Sequence, residues 1–93
     1  PNDPDLDEAL ATNPVTSSEM LHHIVERVSH PLIGKWILRD VSLHPATANE
    51  TLLLLLEACE ELDRHPAAHD ARDVIDEARN NALQRINRKQ QTP

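Results

Sequence analysis

Four Xaa-Pro steps, Asn13-Pro14, His30-Pro31, His44-Pro45 and His65-Pro66, constrain this chain more than any other feature. Proline carries no backbone N–H and fixes φ, and the residue before it is driven out of helical geometry. Proline also suits the first turn of a helix. Each step therefore marks a point where one helix stops and another can start. Between the steps, apolar residues recur three and four positions apart, the period of an amphipathic helix. The chain has one Gly, one aromatic residue (Trp36) and no Phe or Tyr, and it is rich in Leu, Ala, Glu and Arg. That composition favours helix over sheet. The expected fold is all-α, with about five helices.

The first helix is expected over 4–11, capped by Asp3, with Asp7 and Glu8 near its positive end. The second follows Thr16, which stands three residues before Glu19, the spacing of a capping box. Its stripe is Met20, Leu21, Ile24, Val25 and Val28, opposite a polar face of Glu19, His22, His23, Glu26 and Arg27. The third is expected over 31–42, with Leu32, Ile33, Trp36, Ile37, Leu38 and Val41 covering more than half its circumference and Trp36 in the core. The fourth follows Thr47, again three residues before a Glu, Glu50. On it Ala48, Leu52, Leu55, Leu56, Cys59 and Leu62 share one face, with Leu53 and Leu54 on its shoulders beside Glu50, Glu57 and Glu61. The fifth is expected over 66–87, turning Ala67, Ala71, Val74, Ile75, Ala78, Ala82 and Ile86 inward. One domain over 1–87 and a tail over 88–93 without apolar residues account for the chain, which can be a domain of a larger protein.

Residues 13–26 (NPVTSSEMLHHIVE) align with 44–57 (HPATANETLLLLLE) at an offset of 31, matching at Pro14/Pro45, Thr16/Thr47, Glu19/Glu50, Leu21/Leu52 and Glu26/Glu57. Each copy leads into a His-Pro step and a further helix. Units of this length that bury a face against their neighbours are typical of helical solenoids, so a short α-solenoid-like stack of helix pairs is expected. Over about residues 9–58, the stretches ALATNPVTSSEMLHHIVE and LRDVSLHPATANETLLLLLEA resemble the leucine-rich repeat variant, a bacterial all-helical repeat. The resemblance implies a scaffold or binding surface rather than catalysis. An iron–sulfur cluster known on a separate cysteine-rich segment in that family does not carry over to a chain with Cys59 alone.

Charge narrows the function classes. The net charge is −7, with residues 1–29 and 30–62 acidic and only 63–93 slightly basic. An acidic body opposes phosphate-backbone binding. A single Cys cannot form an internal disulfide, which points to a reducing, cytoplasmic compartment. The longest apolar run, Leu52 to Leu56, is too short for a membrane span. His65 and His69, His22 and Glu26, and Glu19 and His23 have helical i,i+4 spacing, but two ligands do not make a zinc site, and a solvated polar face is the plainer reading. Cys59, on an apolar stripe, reads as an inert buried thiol. No phosphate loop or hydrolase motif is present, so no catalytic residue, metal or cofactor is assigned.

The expected function is a non-enzymatic protein–protein interaction module. Leu53, Leu54 and Trp36 are its candidate contacts, and a homodimer through the Leu52–Leu56 helix is one version of it. The alternative is a nucleic-acid-associated or regulatory protein using Arg79, Arg85, Arg88 and Lys89, which equally suit the negative end of a long helix.

Overall fold

The computed structural model describes residues 4–91, with side chains described for 5–88; Asp3 and the side chain of Lys89 lie outside these residues. Five α-helices follow one another: α1 (Pro4–Thr12), α2 (Ser18–Arg27), α3 (Pro31–Leu43), α4 (Asn49–Asp63) and α5 (Arg72–Gln91). A 3₁₀ helix, Pro66–Ala71, leads into α5. No strand occurs among the described residues. The helices form two rows. In one, α3 lies between α1 and α5; in the other, α2 packs on α4. The result is a slab measuring 42 × 25 × 16 Å.

The prolines act as the sequence suggests, with a refinement. Because Pro donates no N–H, the first donor after each step belongs to the next residue, and in every case the side chain before Pro accepts it. Asn13 Oδ1 accepts from Val15 N–H (3.1 Å), His30 Nδ1 from Leu32 (3.2 Å), His44 Nδ1 from Ala46 (3.0 Å) and His65 Nδ1 from Ala67 (3.0 Å). The three histidines thus do what Asn does in an Asx-turn. His30, His44 and His65 have the extended ψ expected before Pro (129°, 129° and 141°).

The 31-residue repeat is conformational. Thr16 Oγ1 donates to the carbonyl of Leu10 and Thr47 Oγ1 to that of Val41, each at 2.7 Å. The next residues, Ser17 and Ala48, are the helix N-caps, both at φ −72° and ψ 157°. The expected capping boxes are therefore displaced by one residue. Thr16 and Thr47 reach back to close the preceding helix, which removes them from the cap. Ser17 Oγ then accepts the Met20 N–H, whereas Ala48 has no side chain to offer. Glu19 and Glu50 remain in the first turns, favoured there by the helix dipole.

One ladder joins successive units. His44 Nδ1 is an acceptor, so its proton sits on Nε2, which donates to the carbonyl of Asn13 at 2.7 Å. Asn13 is the residue equivalent to His44 one repeat earlier. The His44 carbonyl in turn accepts from Arg85 Nη1 at 2.8 Å. Arg85 also donates to the carbonyls of Ser42 (3.0 Å) and Thr47 (3.5 Å). It caps the C-terminal end of α3 rather than that of its own helix.

The core is Leu, Ile, Val and Ala, centred on Leu21, Ile24, Leu38, Val41, Leu52, Leu55 and Ile75. Further expectations require correction. Met20 is exposed at the start of α2, and Ala48 and Leu56 are only half-buried. Trp36 is not core: it is 38% exposed, with Arg39 4.7 Å from its ring, because α3 buries its Gly34, Ile37, Leu38 and Val41 side and turns Leu32, Ile33 and Trp36 outward. At the start of the expected fifth helix, the 3₁₀ winding shifts the inward register, so Ala68 is buried where Ala67 was expected, and Val74 is only half-buried. At its other end α5 continues beyond Asn87 to Gln91, so the expected 88–93 tail is helical through that residue.

Asp7 and Arg27 form an unexpected tie between α1 and α2, with Asp7 nearly buried and Nη2–Oδ1 at 2.6 Å. The Asp7 hydrogen bond holds the Arg27 guanidinium above its ordinary pKa.

Gly34 lets α3 lie close against Val28, the C-cap of α2. A Cβ placed there would lie 2.3 Å from Val28 Cγ1, and Val28 is stiff at χ1. Gly34→Ala is expected to destabilise the fold by about 1–2 kcal/mol despite its better helix propensity, because the overlap outweighs the propensity gain. Adding Val28→Ala should recover most of that loss. Urea unfolding of the two single variants and the double variant checks the coupling; additive effects would refute the clash.

Candidate functional site

The candidate contacts divide by element. Leu53 projects from α4 and is 50% exposed. In the 31-residue register it stands where His22 stands on α2, and His22 reaches the next helix, sharing a 2.8 Å hydrogen bond with Thr51. Leu53 thus holds on α4 the register position from which His22 on α2 reaches its neighbouring helix. Leu54 is half-buried against the core and faces the groove between α2 and α4. Trp36 lies on the outer face of α3 in an apolar strip with Leu32 (41% exposed) and Ile33 (55%), and Lys35 and Arg39 lie over its ring. The structure does not gather the three residues into one patch: Leu53 and Leu54 belong to the two-helix row, and Trp36 to the three-helix row.

The groove is a feature that residue-by-residue reading missed. It occupies about 260 Å³ between the C-terminal ends of α2 and α4. Val28, Leu54, Ala58 and Leu62 contribute its apolar surface, and Glu26, Glu57 and Glu61 its carboxylates. A signal for it was present. Pro14 and Pro31 are 17 residues apart, whereas Pro45 and Pro66 are 21 apart, so the second unit has the longer inner helix.

The histidines are distributed as turn formers. His65 caps the 3₁₀ helix, as expected of a residue before Pro, and its neighbour is not His69 but His30, whose ring centroid is 4.5 Å away. His22 bonds to Thr51 and His23 lies 3.1 Å from Glu26, its i,i+3 neighbour, rather than in the i,i+4 pairs His22–Glu26 and Glu19–His23 that the spacing allows. Among the described residues no group of three or more His, Cys, Asp or Glu is placed to hold a metal ion.

Cys59 is fully buried, with Sγ 3.9 Å from the Ile75 carbonyl. Burial pushes its thiol from an ordinary 9.0 up to about 11. Because the folded value is raised, the thiol's stabilising contribution is present below pH 9 and is lost as pH rises through about 11. A thiol-disulfide reagent at pH 8 is expected to leave Cys59 unmodified in the native protein and to react at a rate that follows global unfolding in urea. Immediate stoichiometric reaction would refute the burial. A Cys59→Ala variant should lose part of the alkaline destabilisation.

The C-terminal bases are largely engaged in structure. Arg79 bonds to Asp63 and, at 2.7 Å, to Asp76. Arg85 holds the end of α3, and burial pulls its pKa below the ordinary value, with Arg88 adding to the effect. At least two of the four bases of the alternative nucleic-acid reading, Arg79 and Arg85, therefore have protein partners. No helix among the described residues is long and apolar enough to cross a membrane. No family model, curated protein or solved structure matches the chain.

Proposed function

We propose that this chain is a non-enzymatic protein–protein interaction module, a short solenoid-type stack of helix pairs similar to the leucine-rich repeat variant. It acts in a thiol-reducing, cytoplasmic compartment. The observation that carries the reading is Leu53. A leucine half-exposed at the repeat position where the preceding unit makes its helix-to-helix contact is a contact residue without its neighbour. Burying the exposed half of this leucine is worth about 1 kcal/mol, a contribution that the surrounding face must complete to offset the cost of association. Trp36, with Leu32 and Ile33, offers a second apolar strip on the other row. The occupant of the Leu53 face is another protein or a second copy of this chain.

Leu53→Ser tests the reading. Because the side chain is already half in water, the variant should keep its helical signal and lose less than about 1 kcal/mol of stability. Self-association read by sedimentation should disappear, as should chemical cross-links to co-expressed protein. A variant that unfolds would make Leu53 core, and unchanged association would remove α4 from the interface.

A further inference from the structure

α2 ends at Arg27, whereas its repeat counterpart α4 continues past the equivalent residue, Ala58, to Asp63. At 1.5 Å per residue, about 7 Å of α4 therefore extends beyond the end of α2. The α4 surface that would pack on a longer α2 is left open there, and this opening is the 260 Å³ groove. Its floor is carbon, from Val28, Leu54, Ala58 and Leu62. Its rims carry Glu26 on the α2 side and Glu57 and Glu61 on α4, with His65 at one end. Glu26 is 3.1 Å from His23; among the described residues neither Glu57 nor Glu61 has an ion-pair partner.

We propose that this groove docks a Lys- or Arg-bearing segment of a partner protein. The apolar floor receives the aliphatic stem of the cation, or a neighbouring apolar side chain, and the charged head lies among Glu26, Glu57 and Glu61. The chemistry is that of long cationic side chains, which lay their methylenes on apolar surface and keep the head group at a polar rim. Exposed carboxylates of one sign around an apolar floor attract such a cation and give it charge-assisted hydrogen bonds. A hydrated metal ion would find oxygen donors at the rim only and none on the floor, and a phosphate would meet repulsion. The inference rests on the interaction-module reading and adds the chemistry of the partner to it.

The test uses the whole chain and three labelled hexapeptides: alternating Arg-Leu, alternating Arg-Gly and alternating Glu-Leu. The Arg-Leu peptide should bind saturably at one site, the Arg-Gly peptide more weakly, and the Glu-Leu peptide not at all. Amide shifts should move at 25–29 and 54–62. Glu57→Lys with Glu61→Lys should weaken Arg-Leu binding at least about tenfold. Asp73→Lys with Glu77→Lys makes the same change in net charge on exposed α5 positions and should have little effect. Equal losses in the two double variants would reduce the effect to overall charge and overturn the groove, as would absence of binding. Shifts centred on Leu53 or Trp36 would overturn the groove and leave the interaction reading standing. Self-association of the free protein abolished by the Glu57 and Glu61 changes would assign the groove to a second copy and overturn the proposal as stated.

Discussion

Arg85→Met is expected to lower the free energy of unfolding by about 2–4 kcal/mol, among the largest effects of any single change to a polar residue in this chain. The guanidinium donates to the carbonyls of Ser42 and His44 at 3.0 and 2.8 Å, with a longer approach to Thr47 at 3.5 Å. The last carbonyls of a helix have no intrahelical donor, so the end of α3 at Ser42 and His44 draws on Arg85, with His44 also accepting the Thr47 N–H at 3.2 Å. Methionine keeps the length and much of the packing of the stem but brings no N–H. The loss then reports the hydrogen bonds rather than a cavity. Arg85 is half-buried and His44 keeps the Thr47 N–H, so water and that bond hold the expected cost below that of fully buried orphans. Arg85→Lys should recover a fraction, since an ammonium can reach one or two carbonyls but cannot fork across them. Urea unfolding followed by circular dichroism measures the change. Hydrogen exchange should show the loss first around 41–47. A shift below about 0.5 kcal/mol, the scatter of ordinary surface substitutions, would mean that Arg85 is an exposed base and would reopen the nucleic-acid reading.

The helices were legible because two local rules agree at each end. Proline excludes helix behind it, Pro31 and Pro66 open the next helix while Pro14 and Pro45 open a turn that leads to it, and the apolar period of the intervening residues is helical. The repeat was legible for the same reason, since Pro14 and Pro45, with Thr16 and Thr47, fix the same backbone path. Which residue caps was not, because the choice between Thr16 and Ser17 is settled by Leu10, whose carbonyl lies six residues back across the turn and captures the threonine hydroxyl. The exposure of Trp36 was hidden by the breadth of the apolar face of α3. Leu32, Ile33 and Trp36 are as apolar as Ile37 and Leu38, and only the placement of the neighbouring helices separates the two sets. Asp7 and Arg27, 20 residues apart, carry no local sign of their pairing. The groove is a difference between helix lengths rather than a motif. It appears in the spacing of the prolines and in no single residue.

His44→Ala should cost about 2–4 kcal/mol, because one buried ring serves two neighbours at once. Its Nδ1 accepts the Ala46 N–H and its Nε2 donates to the Asn13 carbonyl. Removing the ring leaves both groups without those partners and opens a void between the two units. His44→Asn separates the roles. Asparagine at the equivalent position of the first unit, Asn13, already makes the same turn through Oδ1. Asn at 44 should therefore restore the Ala46 bond and recover about 1 kcal/mol, the usual worth of such a side-chain-to-backbone bond, while the reach to Asn13 stays lost. The remaining deficit measures the tie between units. Two further readouts fix the interpretation. Nitrogen chemical shifts of the His44 ring should show the Nε2–H tautomer in the native protein, because Nδ1 is occupied as an acceptor. Combining His44→Ala with Arg85→Met should cost less than the sum of the single losses, because both act on one ladder of carbonyls running from Asn13 through His44. Strict additivity, or the Nδ1–H tautomer, would mean that the units are held together by their apolar faces alone and that the ladder contributes nothing to their registration.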